Sequence, residues 1–177
     1  VGDPHTFTVT VKQDAGDGEG LVPAVGATVT PTLSNSSGAT ATVTGGTCTD
    51  GGVTDAAGKC TIIVSSPTTG SVKVDVSVTL TIDGYEGSAE VTRSTDGNAG
   101  PGGSDGAVKT WVDANITIGP DGRNPVNAPH TFTVTVKQDT GDGDGLVPAV
   151  GAPVTFGLAD TDGATSVVDE AASTCVT

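Results

Sequence analysis

Residues 5–31 read HTFTVTVKQDAGDGEGLVPAVGATVTP, and residues 130–156 read HTFTVTVKQDTGDGDGLVPAVGAPVTF. The two stretches lie 125 residues apart and differ only at Ala15/Thr140, Glu19/Asp144, Thr28/Pro153 and Pro31/Phe156. A period of about 20–50 residues signals a solenoid, whereas this one is the size of a whole domain. The chain therefore predicts similar modules in series. Within the repeat, Phe7, Val9 and Val11 alternate with Thr6, Thr8 and Thr10, the period-two mark of a half-buried strand. Residues 71–82 alternate still more strictly, with Val72, Val74, Val76, Val78, Leu80 and Ile82 against Lys73, Asp75, Ser77, Thr79 and Thr81. Weaker strands are expected over 26–33, 39–43, 60–65, 86–93 and 108–118. Turn formers punctuate them, as in GDGEG, SNSSG, DAAG, SSPTTG and NAGPGGSDG. No segment carries the 3.6-residue period of a helix, so the fold class expected is all-β, a series of β-sandwiches.

The composition agrees. One Trp, one Tyr, three Phe and no Met in 177 residues leave Val, Ile, Leu and Ala to build the core. Aromatic side chains bury the most area each, so small modules with thin cores are expected rather than one large enzyme. Seven basic against 21 acidic residues give a net charge of −14, which repels nucleic acid and anionic membrane surfaces. No apolar run is long enough to span a membrane as a helix. The chain opens at Val1 without Met, so any targeting segment is expected to be removed or to lie outside these residues.

Three cysteines sharpen the picture. Cys48 and Cys60 flank the polar segment TDGGVTDAAGK, and a disulfide there closes a hairpin-like loop. Such a bond needs an oxidising compartment, which predicts a secreted protein. Neither His5 nor His130 stands near a cysteine, which disfavours a metal reading of the pair. Cys175 matches Cys48 in the second copy, but the sequence stops at Thr177, before a counterpart of Cys60. The expected reason is that the chain is a window on a longer array. The other account is that neighbouring molecules complete one another by strand donation.

Three passages resemble the bacterial immunoglobulin-like domains of the invasin and intimin type: PHTFTVTVKQD (4–14 and 129–139), VTDAAGKCTIIVSSPTTGSVKVDVSV (53–78) and WVDANITIGPDGRNPVNAPH (111–130). In the second, Asp55 suits a turn that accepts backbone hydrogen bonds, and Gly58 suits positive φ before the next strand. The resemblance implies tandem immunoglobulin-like sandwiches, with residues 1–110 forming one repeat that lacks its own first strand and 111–177 the incomplete start of a second. It implies a non-enzymatic surface stalk, adhesin or extracellular filament, secreted and held at the cell surface. Its partners would be neighbouring repeats of the same or identical chains, and a host or surface ligand. The cysteine pair and the GDGEGLVPAVG insertion depart from that family pattern.

Candidate sites are few. Asp14, Asp17 and Glu19, with Asp139, Asp142 and Asp144 in the second copy, put closely spaced carboxylates on a glycine-rich backbone. Calcium needs such hard oxygens, but no bidentate Glu follows. A solvated acidic loop is favoured, with a calcium site as the alternative. Asp3, Asp113 and Asp121 offer a second calcium possibility at a junction. His5 and His130 are expected to make structural hydrogen bonds. Trp111 is expected to pack between adjacent modules rather than to stack on a sugar. Asn35 and Asn115 are formal glycosylation acceptors. Lys12, Lys73 and Lys109 are the lysines open to an isopeptide bond. With only two histidines, in separate copies, no catalytic residue is expected. Two rival readings remain: a glycan- or protein-binding module using its insertion loops, and an accessory domain of a larger secreted enzyme.

Overall fold

The computed structural model describes residues 1–84 and 87–175, and every regular element among them is a strand. The chain forms two compact units. The first is Val1–Asp113 joined by Asp139–Gly145, and the second is Ala114–Gln138 with Leu146–Thr177.

The first unit carries β1 (His5–Thr10), β2 (Lys12–Gln13), β3 (Val22–Pro23), β4 (Val29–Ser36), β5 (Thr42–Gly45), β6 (Lys59–Ser65), β7 (Gly70–Gly84), β8 (Gly87–Ser94) and β9 (Ala107–Trp111). One sheet runs β1-β6-β5, with His5 opposite Val64 and Thr10 opposite Lys59. The other is organised by β7, which pairs β4 along one edge and β8 and β9 on the other. Alternation decides what each strand buries. Cys60, Ile62 and Val64 of β6, and Val72, Val74 and Leu80 of β7, enter one cluster with Val11, Val29, Ala41 and Trp111. Ile62, Val64 and Val72 have no exposed surface, and burying each of them stabilises the fold by about 1.5–3 kcal/mol. Pro31 sits opposite Val76 within β4, and it is tolerated because β4 is an edge strand.

Polar atoms inside this core are satisfied. Thr54 Oγ1 donates to Ala24 O and accepts from Ala27 N at 2.9 Å, pinning two loops together. Ser66, fully buried, donates to Thr68 O at 2.7 Å and accepts from Thr40 N at 3.2 Å. Asp75, also buried, accepts from Thr95 Oγ1 at 3.1 Å and pairs with Lys73 Nζ at 2.9 Å. The hydrogen bond to Asp75 is the main reason the Lys73 pKa is raised above its ordinary value.

In the second unit β10 (Asp113–Gly119), β11 (Thr133–Asp139) and β12 (Val147–Pro148) form a sheet in that order, β10 starting and β11 ending on residues of the first unit. Among the described residues, every buried hydrophobic belongs to the first unit. Residues 152–160, which copy β4 and its flanks, form no strand. Strand β4 is held by pairing with β7, and the 177 residues contain no second copy of β7.

Several expected strands shift. The one placed over 26–33 is β4, displaced toward Ser36 by its register with β7. That over 39–43 starts later, at Thr42. The start at Glu86 lies outside the described residues, and β8 runs Gly87–Ser94. The strand expected over 108–118 is two, broken at Val112: β9 pairs with β7, and β10 leaves to pair with β11.

Candidate functional site

The acidic insertion is a local hairpin that folds the same way in both copies. Lys12 pairs with Pro23 and Gln13 with Val22 in the first, while Lys137 pairs with Pro148 and Gln138 with Val147 in the second. Ala24 N donates to Val11 O, and Ala149 N to Val136 O, each at 3.0 Å. The carboxylates build the turns. Asp14 Oδ1 accepts from Gly16 N at 2.8 Å and Asp17 Oδ1 from Glu19 N at 2.9 Å. Asp139 and Asp142 accept in the same way from Gly141 N and Asp144 N, both at 2.9 Å. The Asp142 pKa is lowered, first by the Asp144 amide and then by the Thr140 hydroxyl at 2.7 Å. Among the described residues no three His, Cys, Asp or Glu side chains gather into a ligand set, and the inward carboxylate oxygens serve backbone amides instead.

The two loops differ in what surrounds them. Asp14 is exposed, whereas Asp139 is only 8% exposed. Segment Asp139–Gly145 is part of the first unit and sits at the turn between β6 and β7. There Thr69 Oγ1 donates to Asp139 Oδ2 at 2.8 Å. Gly141 lies so close to Trp111 O and Thr110 Cγ2 that a Cβ would overlap them, and a Cβ on Gly143 would stand 3.4 Å from Ser37 Cα. Both glycines also take positive φ, a conformation that side chains disfavour. The site is a seat: the Thr69 hydroxyl, the Trp111 carbonyl and a close-fitting surface receive the acidic turn.

Trp111 is the floor of this seat rather than a surface residue. It is 3% exposed, within the first unit's core. Its Nε1 donates to Asp3 O at 3.1 Å, and Val1 N donates to Val112 O at 3.2 Å, so the first residues of the chain are tied to β9 and its exit. Cys48 and Cys60 are disulfide-bonded and buried, as expected, and Cys175 is free.

Five other candidates make local contacts. His5 packs edge-on against Phe7 at 4.7 Å and His130 against Phe132 at 4.6 Å, and His130 Nε2 lies 2.9 Å from Pro120 O. Asn35 bridges the backbone of Ala41 in both directions at 3.1 Å. Lys109 Nζ stands 5.9 Å from the Trp111 ring, and Lys73 faces Asp75 and Asp96. Sequence reasoning missed Thr69, Gly70 and Ser37 as receivers of the acidic loop. The only signal was that the loop recurs, which marks the plug but not its socket.

No family model, curated protein or solved structure matches this chain.

Proposed function

We propose that the protein is a non-enzymatic structural module, a pair of immunoglobulin-like repeats from an extracellular stalk, adhesin or filament of the bacterial immunoglobulin-like type. The observation that carries this reading is the near-identical repeat 125 residues apart, because a spacer needs length rather than distinct binding faces. The buried Cys48–Cys60 disulfide supports secretion into an oxidising environment. The two-sheet, all-strand core of the first unit is in keeping with an immunoglobulin-like sandwich. A sugar-stacking role for Trp111 has no exposed ring to act through.

An antibody against this chain tests the reading on intact cells of the source organism. Labelling is expected without permeabilisation and should disappear after external protease treatment. Labelling seen only after permeabilisation would overturn it.

A further inference from the structure

The two sheets of the first unit do not close over all of their apolar faces. Phe7 and Val9 of β1, and Val76 and Val78 of β7, take inward positions by strand alternation, yet each is only partly buried. Between them lies a cleft of about 210 Å³, and residues 103–107, which lead into β9, form its third wall.

Charge at this cleft runs against that of the chain. The sequence holds 21 acidic and seven basic residues, but the lining holds two bases, Lys12 and Arg93, against one acid, Asp105. Arg93 is held in place. Its Nη1 donates to Thr92 O at 3.1 Å, and Gly100 lies so close to its Nε that a Cβ there would overlap it. Among the described residues Arg93 forms no ion pair, while Asp96, in the turn that follows, faces Lys73 instead. The apolar walls suit a hydrocarbon body, and a guanidinium free of any ion pair suits an anionic head, above all a carboxylate that it can grip with two parallel hydrogen bonds. A dry cavity of roughly 150 Å³ holds the six carbons of benzene, so this cleft takes a chain of about eight.

We propose that the cleft is a binding site for an aliphatic carboxylate of medium chain length, its hydrocarbon lying between β1 and β7 and its head bound by Arg93. Apolar walls with one oriented polar group are the ordinary construction of a small-molecule site. Lys12 adds positive potential, and Asp105 is the one opposing charge in the lining. The inference goes beyond the structural-module reading and does not depend on it.

The test titrates sodium octanoate into the full chain and follows the backbone amides by NMR, with octanol as an uncharged probe of the same length. Saturable shifts are expected over residues 7–11, 74–80 and 103–107, and octanoate should bind about tenfold or more tighter than octanol. The Arg93→Gln variant should lose that advantage and bind octanol as wild type does, which separates loss of the head contact from loss of the fold. Absence of saturable shifts in the cleft, equal affinity for the two probes, or an undiminished preference for octanoate in Arg93→Gln would each overturn the proposal.

Discussion

Asp55 shows how a single side chain sets a turn. Its Oδ1 accepts from Ala57 N at 2.8 Å and Lys59 N at 2.9 Å, and these bonds, led by that from Lys59, hold its pKa below the ordinary 3.8. A depressed carboxylate pKa contributes stability above the unfolded-state value, and that contribution is lost as pH falls through the folded-state value. Asp55→Asn should therefore be less stable than wild type at pH 7, and the difference should vanish on acidification below 3.8. Urea titrations at several pH values check this, and a gap that widens toward acid would contradict it. Asp139 makes a comparison inside the chain. Its bonds to Thr69 and Gly141 are those of a buried carboxylate, whereas Asp14 makes only the local turn. Asp139→Ala should cost about 1.5–3 kcal/mol, and Asp14→Ala distinctly less, in the same unfolding assay. The Asp55 turn was legible in the sequence because Asp-Ala-Ala-Gly is local chemistry, and Gly58 does take positive φ, at 69°. The burial of Asp139 was not legible, because it depends on Thr69 and Trp111, far away in the chain.

At the level of elements, alternation carried most of the information. Strands β1, β6 and β7 lie within one or two residues of where their apolar pattern puts them, since a period-two stripe leaves a single way to bury one face. The acidic hairpins reproduce each other's register because the backbone pairs that set it join near neighbours. Where pairing with a remote strand decides, the pattern misleads. β4 extends to Ser36 to match β7, and Trp111 ends β9 in the core because β9 joins β7. The disulfide ties the loop after β5 to β6. In the chain-entropy model, closing a loop of this size contributes roughly 3 kcal/mol. Replacing Cys48 and Cys60 together by Ser should lower stability by about that amount, measured by denaturant unfolding without reductant, while the Cys175→Ser variant should unfold like wild type.

Over the whole molecule the buried apolar side chains belong to one unit. Hydrogen exchange should follow that division, with the amides of β6 and β7 protected to the global limit and those of residues 152–168 exchanging nearly freely. The sequence made this difference legible through Cys175, which repeats Cys48 without a repeat of Cys60. It did not reveal that the acidic turn of the second copy is part of the first unit's surface. If, as proposed, these are repeats of an extended assembly, the native material should be filamentous. The most direct test is an electron micrograph of the native material released from the cell surface: a filament with a regular module-by-module repeat is predicted, and discrete globular particles with no axial repeat would contradict it.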